Sequence, residues 1–262
     1  MTDLLKNKNC IIYGAAGGLG SGIAKSFARE GANLFLTGRT LQTLQRLAGE
    51  IGASDRSVEI AVVDALDEVA VQEHAHSVVS QAGAIDVSFN LITRGDVQGI
   101  PLIEMTAEQL LRPVTAGLQS QFCTATVAAR QMVLQGSGVI LYLTSGSSQG
   151  LAPNMGGTGP ADAATEAFLR YLAAEVGKAG VRVVGIWTAG VPETFALEDD
   201  PNESRRASGL TANQIEEMIS SRSMLGRAPR LAQVAETATF LASDAAAAIT
   251  GTVVNASCGL VA

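Results

Sequence analysis

The feature that most constrains this chain is a rhythm. Seven short apolar runs recur: NCIIYG (9–14), ANLFLTG (32–38), SVEIAVVD (57–64), IDVSFNL (85–91), GVILYLTS (138–145), VRVVGIWT (181–188) and GTVVNAS (251–257). Longer amphipathic stretches lie between them at 19–30, 40–51, 67–82, 106–134, 160–178 and 231–243. Strands that read as continuous apolar runs are those buried on both faces, so the alternation predicts an α/β fold whose parallel sheet is covered by helices on each side. Right-handed crossovers then give a doubly wound sheet of about seven strands. No repeat or low-complexity linker divides residues 1–262, which are expected to form a single domain.

One segment breaks the rhythm. Pro192 to Met224 is charged at LEDDPNESRR and reads as helical from Thr211, where Thr211 and Gln214 have the spacing of a capping box. A long insertion after the C-terminal end of a strand lies over the crevice where such sheets bind ligands. We read 192–224 as a substrate lid.

Composition removes several classes of function. With 18 Lys and Arg against 25 Asp and Glu, the net charge is −7, and no basic stripe is available to neutralise nucleic-acid phosphates. There is no apolar run of about twenty residues, and the start MTDLLKNKNC lacks the pattern of a signal peptide, so no membrane span and a cytoplasmic location are expected. Cys10, Cys123 and Cys258 are odd in number and widely spaced; they read as three reduced interior thiols. His74 and His76 fall on different faces of a polar helix and read as a solvated surface, with no metal site expected.

The chemistry begins at the first strand. Tyr13-Gly14-Ala15-Ala16-Gly17-Gly18-Leu19-Gly20 leads directly into a helix. Glycines there permit a tight turn and close approach of phosphate oxygens to backbone N–H groups, while the helix N-terminus favours negative charge. At the end of the second strand stands Thr37-Gly38-Arg39-Thr40 rather than an acidic residue. A guanidinium at Arg39 suits a ribose 2′-phosphate, with a surface arginine starting a helix as the plainer alternative.

The spacing Gly14, Gly18, Gly20 resembles the Gly-x-x-x-Gly-x-Gly turn of the short-chain dehydrogenase/reductase family, and the likeness extends nearly end to end. It implies a Rossmann-like fold and an NADP(H) cofactor held by Gly14, Gly18, Leu19, Gly20, Arg39, Thr40, Asp64, Ala65, Asn90, Val191 and Thr194. Ser145 resembles the family's catalytic serine, and 226–251 resembles its C-terminal signature, which implies a homotetramer or a homodimer.

The resemblance fails where the family keeps its tyrosine and lysine. Those positions fall on Thr158 and Asp162, and the family's helix asparagine falls on Gly117. Tyr13, Tyr142 and Tyr171 read as packing rather than substitutes. Thr158 then orients substrate with Ser145, and Asp162 either accepts bonds from the nicotinamide ribose or merely occupies the first turn of its helix. As a ribose neighbour its charge would favour the oxidised nicotinamide. Thr93, Arg94, Ser147, Met155, Ala189 and Phe195 are expected around the substrate, with Arg94 read as a solvent-facing loop arginine and attraction of an anionic group as the alternative. The expected function is NADP(H)-dependent reduction of a carbonyl, imine or activated C=C in a small, mainly apolar molecule. The alternatives are a non-redox lyase, isomerase or cyclase, or an NADP(H)-binding sensor.

Overall fold

Chain segments that are apolar on both faces have nowhere to go but the middle of the molecule, and the strands order themselves accordingly. The computed structural model describes residues 3–52, 57–150, 152–194 and 211–260. Its strands are β1 (Asn9–Tyr13), β2 (Asn33–Gly38), β3 (Val58–Val62), β4 (Val87–Asn90), β5 (Gly138–Ser145), β6 (Val181–Thr188) and β7 (Thr252–Asn255). The helices are α1 (Gly18–Arg29), α2 (Leu41–Ile51), α3 (Glu68–Ala82), α4 (Ala107–Gln135), α5 (Thr158–Val176), α6 (Ala212–Arg222) and α7 (Leu231–Ala242). β1 and β4 are buried at every position, whereas β3 and β7 alternate or lie partly exposed. They are the sheet's two edges.

The strand order is β3-β2-β1-β4-β5-β6-β7, and every neighbouring pair is parallel. The order reverses between β1 and β4, so the crevice at their C-terminal ends is the switch point of the sheet. Two apolar layers sandwich the strands. Ile12, Leu34, Leu36 and Phe89 face one layer with Phe27 of α1 and Leu241 of α7. Ile11, Phe35, Ile140 and Tyr142 face the other with Met132 of α4 and Leu169 of α5. The period-two alternation of side chains along a strand produces both layers from one sheet.

The helix starts repay close reading because they aim the site. The capping box forms as expected: Gln214 N–H donates to Thr211 Oγ1 at 3.2 Å and Thr211 N–H to Gln214 Oε1 at 2.9 Å. α5 starts earlier than the sequence pattern predicts, at Thr158. Asp162 therefore sits in the second turn, not the first, and the helix dipole does not explain it. The glycines of the stretch GGTG are demanded by close approach. A Cβ on Gly157 would stand 2.6 Å from Pro113 of α4, and one on Gly159 would stand 2.7 Å from the carbonyl oxygen of Ser147.

One expectation about the surface is corrected. His76 is exposed, but His74 is half-buried, its ring edge-on to Tyr13 with centroids 6.3 Å apart. Burial pushes its pKa down from 6.5 to about 4. Cys10 and Cys123 are buried, while Cys258 is only partly so. Among the described residues no helix is long and apolar enough to cross a membrane, and no cluster fit to hold a metal ion occurs.

The His74 shift gives a pH dependence of stability. Its folded pKa is depressed, so between about 6.5 and about 4 the unfolded chain binds a proton that the folded chain refuses. Stability should fall as pH drops through that window, and His74→Phe should flatten this part of the profile in urea unfolding series. An unchanged slope in the variant would remove His74 as the cause.

Candidate active site

The crevice at the switch point is a cavity of about 690 Å³ that runs from Gly17, Gly18, Leu19 and Gly20 past Asn90 to Ser145, Thr158 and Asp162. Its mouth is built by glycine. Gly14 has φ +72°, and a Cβ there would lie 2.8 Å from the carbonyl oxygen of Leu91 on the neighbouring strand end. A Cβ on Gly20 would lie 2.8 Å from the carbonyl oxygen of Ala15, so the turn closes only over a bare backbone. Gly17 caps α1 with no side-chain hydrogen bond, and the first turn carries no acidic residue. That leaves its N–H groups and the helix dipole directed at the cavity. This is the cradle a pyrophosphate needs.

Beyond the lip, Arg39, Thr40 and Asp64 are exposed at the ends of β2 and β3, with Ala65 buried beneath them. Above Gly38 a Cβ would meet only Leu44, at 3.5 Å, so the space beside Arg39 is open. Thr43 and Arg46 of α2 line the cavity directly. Arg46 is a second cation there that the linear pattern did not single out. Asn90 borders the cavity, but its amide is spent within the protein: it donates to Thr124 Oγ1 at 3.1 Å and accepts from Ile92 N–H at 3.1 Å. Val191 and Thr194 are buried on the cavity wall, the Thr194 hydroxyl donating to the Val191 carbonyl at 2.7 Å.

At the deep end three charges converge. Asp162, only 1% exposed, accepts from Arg94 Nη1 at 2.6 Å, from Ser145 Oγ at 2.7 Å and from Ser145 N–H at 3.0 Å. Arg94 reaches the other way to Asp96, donating from Nη2 at 2.9 Å and Nε at 3.4 Å. Burial pushes the Asp162 carboxyl above the ordinary carboxylate range, while Arg94 and the Ser145 bonds pull it back. Burial alone would depress Arg94, but the two carboxylates outweigh it and hold the guanidinium charged. Nearby, Gln98 Nε2 donates to Thr158 Oγ1 at 3.0 Å.

Arg94 thus differs from its expectation as a solvent-facing loop residue: its side chain is 18% exposed and tied at both ends. Gly117 accounts for its position. A Cβ on Gly117 would lie 2.7 Å from Arg94 Cδ, so a larger residue there would force the arginine side chain to shift. The cation of the deep end comes from the loop after β4, and Asp162 is its counter-ion. Asp162 no longer acts on the cavity as a lone negative charge.

The cavity also gathers Thr93, Arg94, Ser147, Met155 and Ala189, as expected for the substrate side. Phe195 and residues 195–210 of the proposed lid lie outside the described residues, but Ile215, Met218 and Ile219 of α6 form one wall. Among the described residues, no tyrosine and no lysine lines the cavity. Tyr13 and Tyr142 are buried in the core and Tyr171 is exposed on α5. Asp96, Gln98, Gln121 and Thr165 line it too, without any motif to announce them. The only signal available was paired: a lysine replaced by aspartate beside an asparagine replaced by glycine implies a displaced cation, without saying which.

Comparison with known proteins agrees with the fold. The family model described as enoyl-(acyl carrier protein) reductase matches residues 14–261. The 3-oxoacyl-(acyl-carrier-protein) reductase FabG of Chlamydia trachomatis serovar D is 28% identical over 261 residues, covering 99% of this chain and 100% of that protein. FabG of Thermotoga maritima is 29% identical over 259 residues, covering 98% and 99%. A solved 7α-hydroxysteroid dehydrogenase, complexed with NADH and 7-oxo glycochenodeoxycholic acid, superposes with a TM-score of 0.84 at 24% identity, covering 99% of this chain and 96% of that one. The chain belongs to the short-chain dehydrogenase/reductase family of nicotinamide-dependent oxidoreductases.

Arg94→Met leaves Asp162 buried without its cation and should lower the unfolding free energy by about 3–5 kcal/mol. Adding Asp162→Asn should recover much of that loss, because the charge that needed a partner is gone. Urea unfolding of the three proteins reads both effects; equal stabilities throughout would show that the pair does not hold the site together.

Proposed function

We propose that this protein is an NADP(H)-dependent oxidoreductase of the cytoplasm that reduces a carbonyl, imine or activated C=C bond in a small, mainly apolar molecule. The observation that carries the reading is the continuity of one cavity from the glycine turn to Ser145 and Thr158. A dinucleotide laid along it has its phosphates on the free N–H groups of α1 and its reactive ring toward Ser145. When bound, that cofactor supplies the hydride, which is the difficult part of the chemistry.

The residues of this chain have simpler tasks. Gly14, Gly18, Leu19 and Gly20 receive the pyrophosphate. Arg39, with Thr40 and Arg46 beside it, receives the 2′-phosphate, while Asp64 and Ala65 border the adenine. Asn90 keeps the ends of β4 and α4 together through Thr124. Thr194 presents a hydroxyl oxygen, and Val191 its backbone, to the nicotinamide carboxamide. At the reacting end the Thr158 oxygen accepts from Gln98, which leaves its own proton to direct at the acceptor. Asp162 acts on the ribose side only through Ser145 and Arg94. α6 and the rest of 192–224 close over the substrate as a lid. Assembly into a homotetramer or homodimer belongs to the same proposal, and the exposed Leu111, Phe122 and Tyr171 on α4 and α5 provide an apolar face for it.

Fluorescence titration should give tighter binding of NADPH than of NADH. Arg39→Ala should weaken NADPH about tenfold or more, the scale of one lost charge-assisted contact, and leave NADH nearly unchanged. Equal affinities in the parent protein would overturn the assignment of cofactor. Loss of NADPH absorbance in the presence of a carbonyl, imine and enone panel tests the reaction itself.

A further inference from the structure

We propose that the reacting end of the cavity selects a cationic acceptor, a protonated or N-alkylated imine, over a neutral carbonyl compound; the proposal rests on the reductase reading above and narrows it. Charge is the first ground. Arg94 is shared between Asp162 and Asp96, one guanidinium against two carboxylates, so this buried cluster carries a net negative charge. Among the described residues the other cations on the cavity wall are Arg46, on α2, and Arg222, on α6 with an interaction of its own.

Hydrogen-bond sense is the second ground, independent of charge. A carbonyl gaining electron density needs donors. Yet the Ser145 hydroxyl has committed its proton to Asp162 and accepts from Ser147 N–H at 3.3 Å, so only a lone pair remains for a ligand. Gln121 Oε1 and Thr165 Oγ1, on residues at most 8% exposed, line the same cavity with no partner. Gln121 stands one turn beyond Gly117 on α4, and Thr165 about one turn beyond Asp162 on α5. The Ser145 oxygen and Gln121 Oε1 therefore offer lone pairs, and the Thr165 hydroxyl can accept as well as donate, which gives the N–H of a protonated imine its acceptors.

The chemistry explains why a tyrosine and a lysine can be absent from such a site. The iminium carbon takes the hydride of the reduced nicotinamide, the C=N π pair withdraws onto nitrogen, and the product is a neutral amine. The nicotinamide is oxidised, and no proton is transferred. Met155 and Ile219 supply apolar wall for the rest of the molecule.

The test compares ligands of one shape: 3,4-dihydroisoquinoline below its pKa, N-methyl-3,4-dihydroisoquinolinium, and 1-tetralone. Binding to the full-length protein is measured by calorimetry, and NADPH oxidation separately. The two cations should bind at least tenfold tighter than the ketone, and Asp96→Asn should erase most of that margin. Ser145→Ala should weaken the N–H cation more than the N-methyl cation. Ketone binding as tight as that of the cations overturns the proposal, and NADPH oxidation by the ketone alone does so while sparing the reductase reading. Charge-selective binding with no NADPH oxidation by any of the three overturns the reductase reading and leaves the cation site standing.

Discussion

A carboxylate as buried as Asp162 forfeits nearly all of its hydration, a cost of several kcal/mol for an unpartnered ion. It is tolerated at the end of β5 because three donors replace the lost water: one guanidinium N–H, one hydroxyl and one backbone N–H. Each donor depends on something further away. Arg94 reaches in only because Gly117 has no side chain, and the start of α5 comes near enough only because Gly157 and Gly159 let it press on Pro113 and Ser147. Asp96 holds the far side of the guanidinium. The deep end of the cavity is one coupled arrangement, and its members have to change together or not at all.

That coupling separates the two halves of the site. The mouth is built from a bare backbone turn, a helix N-terminus without acidic neighbours, and a switch point between β1 and β4. At the deep end the electrostatics differ. α5 carries a carboxyl group there, the positive charge arrives from the loop after β4, and a second carboxyl group holds the far side of it. A scaffold held by apolar layers on both faces of the sheet tolerates this exchange, because none of Arg94, Asp96 or Asp162 belongs to either layer. Stability of the sheet and chemistry of the crevice are carried by different residues.

Much of this was legible in linear order. Hydrophobic runs such as NCIIY and VRVVGIWT can be stabilised only between two covering layers, so their alternation with amphipathic stretches settles strand, helix and parallel topology. The Gly14–Gly20 turn is legible because a bare backbone turn is a property of composition and spacing alone. His74 and the start of α5 were misread for local reasons. His74 meets Tyr13 from another element, and α5 gains its first turn from contacts that GGTG makes with α4 and with Ser147.

What the amino-acid order determined by itself is the sheet, its glycine turn and the presence of Thr158 and Asp162, with no phenol or ammonium at either position. Periodicity, glycine spacing and residue identity are local quantities. What only tertiary structure decided is where the compensating charge lies. Arg94 and Asp162 are 68 residues apart, and their meeting depends on a void at Gly117 that belongs to a third element. Coulomb interaction and desolvation depend on distance and burial in space, and neither can be read before the chain has closed on itself.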